Sequence, residues 1–107
     1  MDLGEVTLEM ASPLIGTKFE VETPEGPTIT LTLEDALPFE VHQRRRSAIS
    51  KPEPSRKAFS LYFSGPRSQM LKQGMYTFCS EALTLRSLFI VPVAANEQVA
   101  EYEAIFN

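Results

Sequence analysis

Thr17-Lys18-Phe19-Glu20-Val21-Glu22 and Thr28-Ile29-Thr30-Leu31-Thr32-Leu33 alternate polar and apolar side chains residue by residue. Successive side chains of an extended strand point to opposite faces, so each run presents one apolar and one wet face. Phe19 and Val21 share a face of the first run; Ile29, Leu31 and Leu33 share a face of the second. Pro24-Glu25-Gly26-Pro27 between them has turn chemistry, with Gly26 free to take a positive φ. The two runs read as an antiparallel hairpin with one solvated face.

The same period recurs downstream. Ala58 to Ser64 aligns Phe59, Leu61 and Phe63, and Gly65-Pro66 is expected to end that strand. Ser68 to Gly74 reads as a connection with one helical turn closed by Gly74. Met75 to Ser80 sets Tyr76 and Phe78 on one face, with Met75, Thr77 and Cys79 on the other. In Thr84 to Val93, Leu85, Phe89, Val91 and Val93 share parity while Leu88 and Ile90 sit opposite. That pattern predicts either a central strand covered on both faces or a bulge that shifts parity. Pro92 cannot donate to a ladder, so pairing should break on one side there. Ala94 to Ala100 reads as a loop, and Glu101 to Phe106 as a last strand with Tyr102, Ala104 and Phe106 aligned. Upstream, Thr7 to Ser12 predicts a short helix with Thr7 as N-cap and Met10 directed inward, stopped by Pro13, with a turn at Gly16. Six strands and little helix predict an all-β fold. It is a small antiparallel barrel or sandwich, with the short N-terminal helix plugging one end. The sequence lacks the βαβ alternation of a parallel sheet and any internal repeat.

Leu37 to Ser55 interrupts the alternation with Pro38, Pro52 and Pro54 and a run of arginines. Each proline removes a backbone donor and fixes φ, so residues 43–55 read as a long, irregular, mobile loop. Charge concentrates there. His42 to Lys57 carries Arg44, Arg45, Arg46, Lys51, Arg56 and Lys57 against Glu53, a net +5. The chain as a whole is −4, which leaves −9 on the remainder. An acidic body disfavours nucleic acid, because phosphate repulsion opposes approach. The six basic residues are the candidate contact for a protein partner, and an arginine fork pairs with a carboxylate more strongly than a lysine does.

The 107 residues fit one domain, taken as 1–107, with 43% hydrophobic and 22% charged side chains. No apolar run approaches the roughly 18 residues of a membrane span. The acidic start, Met1-Asp2-Leu3-Gly4-Glu5, is unlike a secretory signal, so a cytoplasmic protein without membrane contact is expected. One cysteine, Cys79, excludes an internal disulfide framework, and one histidine, His42, excludes most metal sites. A Cys79–His42 pair lacks an orienting Asn or Asp at a telling spacing. Ser60, Ser64 and Ser68 lack a nucleophile-elbow context. The carboxylate pairs Glu20/Glu22 and Glu101/Glu103 fall on wet strand faces, without an apolar pocket to raise a pKa. Nucleotide, metal and dinucleotide motifs are missing. The expectation is a protein without cofactor and, on balance, without enzymatic activity.

Phe59-Ser60-Leu61-Tyr62-Phe63-Ser64-Gly65-Pro66, Gln73-Gly74-Met75-Tyr76, Leu88-Phe89-Ile90-Val91-Pro92-Val93 and Tyr102-Glu103-Ala104-Ile105-Phe106-Asn107 occur in that order. Together with Leu14-Ile15-Gly16-Thr17-Lys18-Phe19 they resemble a family of short bacterial domains of unknown function. The resemblance spans most of the chain outside residues 38–57. It implies a gene neighbourhood near phage-tail-collar-like proteins, hence a structural or assembly role, and it carries no catalytic residue. The leading expectation is a non-enzymatic interaction module, presenting residues 42–57 to a protein partner. Self-association is expected through Glu101 to Asn107 as an edge strand. The alternative is a small-molecule-binding barrel or enzyme with an internal pocket lined by Phe59, Phe63, Tyr76 and Phe89.

Overall fold

The computed structural model describes residues 6–24, 26–38 and 58–106. β1 (Lys18–Glu22) and β2 (Ile29–Pro38) form the expected hairpin, with Phe19 opposite Leu31 and Val21 opposite Ile29. All four of these side chains are buried. β2 does not stop where its alternation does. The register shifts between Leu33 and Asp35, placing one extra residue, Glu34, on β2. Beyond that bulge Ala36 faces inward and Leu37 outward, and pairing continues to Pro38 opposite Phe59. A bulge inverts parity, so two strand segments of opposite phase look like a strand followed by a break.

β3 (Phe59–Pro66) pairs with β2 on one side and with β6 (Val99–Phe106) on the other. The β3–β6 ladder runs from Phe59 opposite Phe106 to Pro66 opposite Val99, so Gly65-Pro66 lie within the strand rather than beyond it. A Cβ at position 65 would overlap the Leu31 Cδ2 methyl, which explains the glycine. A 3₁₀ turn (Arg67–Gln69) then leads to β4 (Gly74–Cys79), which Gly74 opens instead of closing a helix.

β4 pairs with β1 and with β5 (Thr84–Ala95). β5 is phase-shifted twice. Between Phe78–Leu85 and Tyr76–Leu88 it carries one extra residue, and Ser87 there has φ 56°. Leu85, Leu88 and Ile90 consequently all face inward, and Phe89 faces out. Of the two readings of this apolar segment, the bulge is the correct one. A second shift falls between Pro92 and Ala94. The loop expected over Ala94 to Ala100 shrinks to a turn, because the Asn96 side chain accepts the Gln98 and Val99 amides at 2.7 and 2.8 Å.

The strands close in the order β1-β2-β3-β6-β5-β4, a six-stranded antiparallel barrel. β6 lies between β3 and β5. The expected edge strand at Glu101 to Asn107 is therefore corrected over residues 101–103, which pair with β3 on one side and with β5 on the other. Val6 and the helix α1 (Leu8–Ala11) sit at the end where β1 begins. The Thr7 hydroxyl accepts the Met10 amide at 3.2 Å. Ala11 and Val6 are the buried residues there, and Met10, expected to point inward, is half-buried. Pro13 sits inside a 3₁₀ turn (Ser12–Leu14) that extends the helix by a few residues. Gly16, at φ 96°, turns the chain into β1 and donates its amide to the Leu33 carbonyl. At the opposite end the Leu71 amide donates to the buried Tyr102 hydroxyl at 2.8 Å, tying the β3–β4 connection over the barrel.

Aromatic rings fill the interior. Phe63 meets Phe19 edge-on at 5.8 Å and Phe78 at 4.8 Å between centroids, and Phe59 stacks on Phe106 at 4.7 Å. Each such pair contributes about 0.5–1.5 kcal/mol beyond the area it buries.

Candidate functional site

A barrel packed this way leaves its reactive side chains on the outer wall. The richest part of that wall is the outer face of β2, β3 and β6. Alternation points Ser60, Tyr62 and Ser64 of β3 outward. The register sets Tyr62 between Glu103 of β6 and Asp35 of β2, and Ser64 opposite Glu101. The Ser60 and Tyr62 hydroxyls both donate to Oε2 of Glu103, at 2.9 and 3.0 Å. The Glu103 carboxylate, by accepting that bond, holds the Tyr62 phenol above its usual 10.0, and burial adds to the rise. One step along β3, the Ser64 hydroxyl donates to Glu34 in the β2 bulge.

These hydroxyls are committed to carboxylates that fix their orientation, and Tyr62 is held protonated. The set joins β3 to β2 and β6 through side chains on the outer wall. Glu34, Asp35, Leu37, Tyr62, Phe63 and Glu101 line a depression of about 440 Å³ on this wall. β2, β3 and β6 together contribute four carboxylates, and their sequences contain no lysine or arginine. The wall is thus uniformly acidic.

Of the four residues expected to line an internal pocket, Phe59 and Phe63 are buried and packed against other rings. Tyr76 is half-buried at the rim, and its hydroxyl donates to the Lys72 carbonyl at 2.7 Å. Phe89 is 45% exposed on the outside. The fold does not bring the four together, because the Ser87 bulge turns Phe89 away from the interior. Cys79 is a half-buried free thiol opposite Glu20, beside a depression that Lys18 and Glu81 also line. His42 and the basic residues Arg44, Arg45, Arg46, Lys51, Arg56 and Lys57 lie outside the described residues. Among the described residues, no group of three or more His, Cys, Asp or Glu side chains is arranged to hold a metal ion. Among them, too, no helix is long and apolar enough to cross a membrane.

Sequence reasoning placed Glu101 and Glu103 on a wet face and did not connect them to Ser60, Tyr62 or Glu34. The signal available was parity alone. Joining them requires the β3–β6 register and the Glu34 bulge, which pair residues about 40 positions apart. No curated protein and no solved structure matches the chain. A family model matches residues 6–106, nearly the whole chain and all six strands, so the protein belongs to the family described as Domain of unknown function (DUF6916).

Proposed function

We propose that the protein is a non-enzymatic interaction or assembly module that recognises other proteins with its outer wall and its basic segment. The observation that carries this reading is the filled interior. Phe19, Phe59, Phe63, Phe78 and Phe106 pack ring on ring inside the barrel, so recognition falls to the surface. The second support is the separation of charge between residues 42–57, at +5, and the remainder at −9. Opposite charge across a contact steers encounter and selects partners. The finer form of the reading, suggested by the family resemblance, is a structural or accessory part of a phage-tail-like assembly.

The test is affinity purification of the tagged full chain from its native lysate, beside an Arg44→Glu, Arg45→Glu, Arg46→Glu triple variant. A protein recovered in near-stoichiometric amount with the wild type and lost with the variant is the expected result. It would place the contact on the basic segment. Recovery with both would keep the module reading and move the contact to the barrel wall. Recovery with neither, together with a rise in melting temperature from a metabolite panel, would overturn the reading in favour of a small-molecule binder.

A further inference from the structure

The acidic wall borders an apolar row. Met75 pairs across strands with Phe89, and the two are 67% and 45% exposed. The β5–β6 pairing runs no further than Val91 opposite Glu103, so Phe89 is not paired across to Ile105. Ser60 lies opposite both Ile105 and Leu37, which are 50% and 45% exposed. Ile105, Ser60 and Leu37 therefore form a row across β6, β3 and β2. The adjoining row holds Glu103, Tyr62 and Asp35. Among the described residues the apolar side chains of the row are exposed.

Covering the row brings the neighbouring carboxylates into the contact. An acidic or neutral occupant would leave them repelled or unpaired, whereas a cationic one would pair them. A cationic stretch is encoded in this same chain, the +5 of residues 42–57. We propose that the outer wall of β2, β3 and β6, with its apolar row, receives the basic residues 42–57 of a second copy. This rests on the interaction-module reading and names one partner within it. Wall and segment are different patches, so the contact is head to tail. Such contacts generate rings when the rotation closes and open chains of copies when it does not.

The experiment is particle mass by light scattering after size exclusion, at high protein concentration. It is run at about 0.01 M and about 1 M salt, between which the screening length falls from about 30 to about 3 Å. Three full-length proteins are compared: the wild type, a wall variant (Asp35→Lys, Glu101→Lys) and the Arg44, Arg45, Arg46→Glu segment variant. The wall positions are exposed and Glu103 is left intact, so the hydroxyl bonds of the wall persist; circular dichroism checks each fold. The wild type is expected at twice the monomer mass or more in low salt, returning to monomer in high salt. Each variant alone should be monomeric. Their equimolar mixture should associate, because the basic segment of the wall variant then meets the acidic wall of the segment variant. A wild type that stays monomeric in low salt, or a mixture that stays monomeric, overturns the proposal. If that happens while an Arg-dependent partner is still captured from lysate, self-association falls and the interaction-module reading stands.

Discussion

At the scale of single residues, two contacts carry sharp consequences. Gly65 sits on β3 where a Cβ would overlap the Leu31 Cδ2 methyl inside a fully packed barrel. Gly65→Ala should lower stability by about 1–3 kcal/mol, the usual cost of overpacking. Urea denaturation should show the loss, and Leu31→Val in the same chain, by removing Cδ2, should recover part of it. Tyr62 makes a different argument. Its phenol is held above 10.0 by the hydrogen bond to Glu103, so the native state keeps the proton more tightly than the unfolded chain does. The stabilisation is complete below a pH of about 10 and fades as pH climbs through the higher folded value. Tyr62→Phe should flatten that part of the alkaline fall in melting temperature. It should also remove a component of the tyrosinate absorbance that titrates above the usual 10.0. A lost component that titrates at or below the usual 10.0 would refute the Glu103 pairing. The glycine was legible in the sequence only as turn chemistry. Its steric role needed the approach of Leu31, more than 30 positions away.

At the scale of elements, bulges account for most of what alternation misjudged. Glu34 in β2 hides the last strand residues, through Pro38, behind an inverted phase. Ser87 in β5 lets Leu85, Leu88 and Ile90 all face inward despite their mixed parity. Ser87 takes φ 56°, a left-handed conformation that costs an L residue with a side chain roughly 1–2 kcal/mol. Glycine meets no such penalty, although it loses more entropy on folding. Ser87→Gly is therefore expected to raise stability by up to about 1 kcal/mol, read as a higher urea midpoint. Ser87→Val, branched at Cβ, should lower it. Elements with a single phase were legible from the start. Lys18–Glu22 and the first half of β2 follow their pattern, as does β6 through Tyr102, Ala104 and Phe106. The N-cap at Thr7 was likewise readable, since capping depends on neighbours within one helical turn.

At the scale of the whole molecule, closure matters most. A closed barrel leaves Ala100 to Glu103 of the last strand flanked by two others, so addition of a neighbour's strand there is not available, and the proposed association uses side chains on the wall. This is why the test of self-association turns on charge reversal and salt and not on truncation of the last strand. The local sequence determined the strand-forming runs, the apolar face of each, the helix cap, the all-β class and the segregation of charge into residues 42–57. These depend on side-chain period and composition, which are properties of neighbours in the chain. Only the tertiary structure decided that the sheet closes, that β6 inserts between β3 and β5, and that Ser60 and Tyr62 meet Glu103. Those outcomes depend on register between distant strands and on bulges that shift it by one residue. A one-residue shift moves every following side chain to the opposite face, and alternation alone does not show which segments have shifted.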